Sequence, residues 1–223
     1  MMIKNSDFAM LYGTAWKEER TETLVSEALA DGFRAIDSAN QRKHYFESAT
    51  GKAVQTWLST GHGKREDLFI QTKFTYRDGQ DHRLPYDPAA PIQEQVRQSF
   101  ESSLKNFGFT YFDSLLIHGP ERRDRLTEND WQVWKELERI YDEKRVRAIG
   151  ISNASAAQVE ELWLRSRVKP SFVQNRCYPM IAWDPSVRAV CLARGIVYQA
   201  FSLVREEWLR APALAAIARS LGD

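Results

Sequence analysis

The segment Gly32-Phe33-Arg34-Ala35-Ile36-Asp37-Ser38-Ala39 carries three signals in a row. Gly32 closes a helix-spaced segment, a short apolar run follows, and the run finishes on the ionisable Asp37. Working outward, the same succession recurs along the chain. Short apolar runs at 11–15, 33–39, 68–74, 114–118, 148–153, 172–177 and 196–202 read as strands. Segments of helical spacing follow at 21–31, 47–59, 91–107, 128–144, 155–166, 185–194 and 212–221. Ser155 supplies an N-cap, and Gly108 and Gly195, like Gly32, close helices ahead of a strand. Regular alternation of strand and helix builds a parallel sheet with helices outside it. After 212–221 an eighth strand would be due, and the sequence stops at Asp223. The expected fold class is α/β: a (β/α)8 TIM-type barrel, incomplete at the C-terminus, with about seven βα units in one domain over 1–223.

Composition agrees with a packed enzyme-sized body. The chain has 223 residues, 43% of them hydrophobic and 27% charged, which is ordinary globular material. Thirty-one Lys and Arg against thirty Asp and Glu leave a formal charge of +1, so no field is available to capture nucleic acid or an acidic membrane. A small-molecule partner is expected. Cys177 and Cys191 lack metal-ligand spacing and form no disulfide framework, so neither a metal nor an oxidising compartment is expected. Lys4, Asn5, Ser6 and Asp7 occupy the place where a signal peptide needs apolar residues, and a cytoplasmic protein is expected.

Strand after strand ends on a polar group: Asp37, Lys73, His118, Ser152 with Asn153, Gln174 and Ser202. Taken singly, each has an ordinary structural reading as a cap, a solvated charge or a hydrogen-bonded packing residue. In a parallel barrel, however, all C-terminal strand ends share one face, where active sites are assembled. Asp, Lys and His on consecutive strands then form a charged cluster that costs stability unless paired.

Collinear motifs give this pattern a family resemblance. Gly13-Thr14-Ala15, Gly32 through Ala39, Thr72-Lys73, Leu115-Leu116-Ile117-His118-Gly119-Pro120, Gly150-Ile151-Ser152-Asn153 and Gln174 through Pro179 run in the order of the aldo-keto reductase superfamily, which the chain resembles. The resemblance implies a catalytic set of Asp37, a tyrosine, Lys73 and His118. The usual spacing puts Arg42 at the tyrosine position, and anchoring on Glu47 and Gly51 puts His44 there. Tyr45 is the tyrosine in reach and takes the role. Hydride delivery to a carbonyl carbon builds negative charge on oxygen, which calls for a proton donor and an electrostatic stabiliser. Tyr45 would donate, Lys73 would lower the phenol's pKa, Asp37 would orient Lys73, and His118 would hydrogen-bond the carbonyl.

For the cofactor, the resemblance implies NADPH. Ser152, Asn153 and Gln174 would bind the nicotinamide carboxamide, Phe201 beside Ser202 would stack on the ring, and Gly13 and Thr14 would let backbone approach closely. No G-x-G-x-x-G follows a strand, so a Rossmann site has no support. The family's 2′-phosphate segment belongs to the eighth unit, and Arg205 and Arg210 read either as its substitutes or as part of an exposed charged loop with Glu206 and Glu207.

The expected function is therefore NAD(P)H-dependent reduction of an aldehyde or ketone to an alcohol. The alternatives are an impaired fragment acting as a binding or scaffold module, and a Schiff-base lyase using Lys73. Trp16, Trp208 and the loop residues Tyr76, His82 and Tyr86 are expected to wall the substrate pocket, and the open barrel edge offers a route to self-association.

Overall fold

A computed structural model of the protein describes residues 10–203 and 212–221. Among the described residues seven parallel strands lie in chain order in one sheet: β1 (Tyr12–Gly13), β2 (Ala35–Asp37), β3 (Phe69–Phe74), β4 (Phe112–Ile117), β5 (Val146–Ser152), β6 (Phe172–Arg176) and β7 (Val197–Phe201). The crossovers are α1 (Thr21–Ala30), α2 (Glu47–Ser59), α3 (Ile92–Phe107), α4 (Glu128–Asp142), α5 (Ala156–Arg165) and α6 (Pro185–Arg194), and α7 (Pro212–Leu221) follows β7. The sheet curls into an incomplete (β/α) barrel, as the alternation of the sequence predicts. None of the described helices is long and apolar enough to cross a membrane.

The expected elements are present, with shifted ends that have local causes. β2 is shorter than the apolar run at 33–39 because Phe33 N–H bonds the α1 carbonyl of Ala28 at 2.9 Å, which completes a helix C-terminus around Gly32 at φ +95°. β4 and β5 each start two residues before the apolar runs at 114–118 and 148–153. The extra residues include Asp113 and Arg147, whose charges disguise the strand; they pair at 2.8 Å, and Arg65 meets the other oxygen of the same carboxylate at 2.8 Å. The Ser155 cap forms as expected, with a reciprocal bond from Gln158.

The alternation of side chains along each strand sorts the barrel. Ile36, Ile70, Leu115, Ile117, Ile149, Ile151 and Val173 face the helices and join Val25, Val54, Phe100, Phe107, Trp134 and Leu137 in the main core. Ala35, Phe69, Leu116, Ala148 and Phe172 form a second, smaller cluster. Two residues further along β2, β3 and β6 stand Asp37, Gln71 and Gln174, and Lys73 follows Gln71 by another two. The interior thus changes from apolar to polar toward the C-terminal strand ends, which is where a barrel gathers its chemistry.

Close backbone approach fixes two of the contacts that hold this frame. A side chain begun at Gly51 would stand 2.1 Å from the Asn106 carbonyl oxygen, so α2 and α3 touch there. One begun at Gly150 would stand 2.2 Å from the Phe172 carbonyl oxygen.

The segment between β3 and α3 is packed, which corrects one expectation. Tyr86 is buried, its ring 5.7 Å from Phe74, and its hydroxyl donates to the Thr75 carbonyl at 2.9 Å. Tyr76 lies edge-on to Phe74 and donates to Asp130 at 2.8 Å. Both tyrosines serve the core and not a pocket wall. His82 is exposed, and Trp208 lies outside the described residues.

Candidate active site

β2 and β3 bring Asp37 and Lys73 together at the polar end of the barrel. Lys73 Nζ donates to Asp37 Oδ1 at 2.7 Å and to the Ser38 carbonyl at 2.7 Å. Lys73 is 1% exposed, so its charge is held by these partners and not by water. Burial alone would depress the ammonium, but Asp37 and Tyr45 outweigh it and hold its pKa above the usual lysine range. A protonated amine is no nucleophile, which removes the ground for a Schiff-base role.

Tyr45 reaches this pair from the segment joining β2 to α2. A turn in which the Gln41 carbonyl accepts from both His44 and Tyr45 N–H, at 3.1 and 2.9 Å, sets its position. The Tyr45 ring centroid is 5.2 Å from Lys73 Nζ and 5.7 Å from the His118 ring, which meets it edge-on. The two other residues at the tyrosine position turn elsewhere. Arg42 stacks on Phe46 at 3.9 Å and faces Glu18 and Glu19, while His44 stacks on Trp16 at 3.8 Å and bonds Gln41 at 3.0 Å. Burial pushes the Tyr45 phenol up, Lys73 pulls it down, and the net direction is upward. The expectation of a lowered phenol pKa is thus corrected: desolvation outweighs the ammonium, and Tyr45 stays protonated.

His118 follows β4, with its N–H on the Phe74 carbonyl at 2.9 Å. Burial, then the Lys73 charge, then His44 lower its pKa from 6.5 to about 3, so the ring is neutral. The folded value lies below the unfolded one, so the stabilisation is complete above pH 6.5 and is lost as pH falls toward 3. Between pH 7 and pH 5 this one group is expected to cost about 2 kcal/mol of unfolding free energy. Urea titrations at the two pH values should show that loss in the wild type and a smaller one in His118→Gln.

Ser152, Asn153 and Gln174 assemble beside His118. Ser152 Oγ donates to the Gln174 carbonyl at 2.6 Å, and Asn153 N–H donates to the same oxygen at 3.0 Å. Asn153 is left-handed at φ +54°, and its Nδ2 donates to the His118 carbonyl at 2.7 Å. Phe201 ends β7, with the Arg176 guanidinium 5.6 Å from its ring centroid, and Ser202 turns left-handed at φ +67°. Gly13 has no heavy atom within 4 Å of where a side chain would begin. The Thr14 hydroxyl and backbone N–H are both committed inward, each donating to the Asp37 carbonyl at 3.0 Å, so Gly13 is the point where backbone can approach a ligand. A cluster of amides beside an aromatic face fits a nicotinamide carboxamide and ring. Arg205 and Arg210 lie outside the described residues.

Sequence reasoning missed Gln71 and Gln199. Gln71 Nε2 lies 2.7 Å from Asp37 Oδ1 and 2.9 Å from Gln199 Oε1, and Gln174 Nε2 donates to the same Gln199 oxygen at 3.2 Å. These side chains link the Asp37–Lys73 pair to Gln174 across the barrel. Their signal was an amide in mid-strand, within Phe69–Phe74 and Val197–Phe201.

The fold is that of a parallel (β/α) barrel with Asp37, Lys73, Tyr45 and His118 gathered at its C-terminal end. The aldo/keto reductase family profile matches residues 7–214, and the chain belongs to that family. It is 31% identical to the uncharacterized oxidoreductase YtbE of Bacillus subtilis over 207 residues, covering 91% of this chain and 66% of that protein. It is 27% identical to the NAD(P)H-dependent D-xylose reductase of Pachysolen tannophilus, covering 84% of this chain and 61% of that protein. The chain thus spans less than two thirds of the length of these curated relatives. Among solved structures, an aldo/keto reductase from Brucella melitensis has a TM-score of 0.75 at 29% identity, covering 95% of this chain and 73% of that one. A silkworm (Bombyx mori) aldo-keto reductase in complex with NADP has a TM-score of 0.76 at 24% identity, covering 95% and 71%.

Proposed function

We propose that the protein reduces an aldehyde or ketone to an alcohol with NADPH as the reductant. The observation that carries this reading is the buried Lys73–Asp37 pair with Tyr45 and His118 packed against it. When bound, the reduced nicotinamide supplies a hydride to the carbonyl carbon. Tyr45, kept protonated by burial, gives its proton to the carbonyl oxygen as charge develops there. Lys73 stabilises the phenolate left behind, and Asp37 holds Lys73 charged and oriented. Neutral His118 hydrogen-bonds the same oxygen. Ser152, Asn153 and Gln174 hold the carboxamide, Phe201 offers a stacking face, and Gly13 offers backbone. The NADP bound in the silkworm complex and the NAD(P)H dependence of the Pachysolen tannophilus reductase support this choice of cofactor.

Loss of NADPH absorbance on adding a panel of aliphatic and aromatic aldehydes tests the proposal. Steady turnover with stoichiometric alcohol is expected. Saturable quenching of NADPH fluorescence without turnover would replace it with a non-catalytic binding module.

A further inference from the structure

Thr75, two residues after Lys73, has no role in the scheme above, yet its hydroxyl oxygen lies 2.7 Å from Nδ1 of His118. We infer that Thr75 is a positioning residue: its hydroxyl donates to His118 Nδ1 and so fixes the ring proton on Nε2, the nitrogen left to donate to a bound carbonyl oxygen. The inference rests on the reductase reading, and deepens it by saying which form of the imidazole the site keeps.

The direction of the bond follows from proton accounting. A neutral imidazole carries one N–H, so Nδ1 either accepts from Thr75 or donates to it. Thr75 is buried, and among the described residues its hydroxyl has His118 as its hydrogen-bond partner. If Nδ1–H donated, the hydroxyl proton would be left buried without an acceptor, a penalised arrangement. If the hydroxyl donates, both groups are satisfied and the proton resides on Nε2. Only that form offers a donor to a carbonyl oxygen; the other would oppose two lone pairs.

The hydroxyl is also held in place. Tyr86 donates to the Thr75 carbonyl at 2.9 Å, and Gln80 reaches the same oxygen at 3.4 Å. On the other side, a side chain begun at Gly79 would stand 2.7 Å from the Thr75 methyl, so glycine there leaves room for that methyl. With backbone and methyl both held, the hydroxyl has little freedom to leave Nδ1.

The test uses the protein labelled with 15N-histidine, in which His118 is assigned by loss of its signals in His118→Gln. Long-range 1H–15N spectra of wild type and Thr75→Ser are expected to report Nε2–H. Thr75→Val, nearly isosteric and without a hydroxyl, is expected to move the Nδ1 resonance downfield to that of a pyridine-type nitrogen without a hydrogen bond, and to lower kcat/KM about tenfold to a hundredfold, with Thr75→Ser restoring most of it. Thr75→Ala gives the same reading if the valine variant does not fold. A wild type that reports Nδ1–H, or an Nδ1 resonance unchanged in the hydroxyl-free variant, overturns the inference whatever the kinetics. A shifted Nδ1 resonance with wild-type kcat/KM overturns the positioning role. A wild type inactive on every carbonyl overturns the reductase reading alone, since the tautomer is still decided by the spectra.

Discussion

Tyr45→Phe is expected to lower kcat by about a hundredfold to ten-thousandfold while leaving the affinity for NADPH unchanged. In the proposed reaction the phenol supplies the proton that the alkoxide needs, and phenylalanine keeps the ring that packs beside His118 and Lys73. Because the lost interaction exists only as charge develops on oxygen, kcat and kcat/KM should fall together. Steady-state kinetics alongside a fluorescence titration of NADPH separates the two effects. Full activity in the variant would transfer the donor role away from Tyr45, and the neighbours His44 and Arg42 would become the residues to replace next.

Lys73→Met should damage both turnover and folding. Removing the ammonium leaves Asp37 in a buried setting, with the Gln71 amide at 2.7 Å as its remaining side-chain partner. Breaking a buried ion pair from one side costs about 3–5 kcal/mol. The double variant Asp37→Leu with Lys73→Met removes both charges at once, and it should recover most of the stability while remaining inactive. Urea unfolding of the single and double variants, read beside NADPH oxidation, checks this. Were the single variant as stable as wild type, the pair would carry little of the fold's energy.

Much of the candidate site was legible in the chain because its residues break the strand pattern from outside. Asp37, Lys73 and His118 sit where an apolar run ends, and Ser152, Asn153 and Gln174 do the same on later strands. Gln71 and Gln199 were missed because an amide in mid-strand looks like a tolerated exception. They become informative only when β3 and β7 face each other across the barrel and their side chains meet. Tyr76 and Tyr86 were misread for a related reason. Their place in the long loop after β3 suggested a pocket wall, but an aromatic ring there packs equally well on Phe74, with its hydroxyl satisfied by Asp130 or a backbone carbonyl.

What the amino-acid sequence determined by itself is the alternation of strand and helix, hence the parallel sheet, and the end of each strand at which polar groups collect. Both follow from local periodicity and from the rule that parallel strands share one C-terminal face. Only the tertiary structure decided which of Arg42, His44 and Tyr45 stands against Lys73, since that depends on a turn around Gln41 and on what packs beneath it. It likewise decided that burial outweighs the ammonium at Tyr45 and that a threonine faces the histidine ring. Desolvation and hydrogen-bond direction are set by neighbours distant in the chain, and no local pattern encodes them.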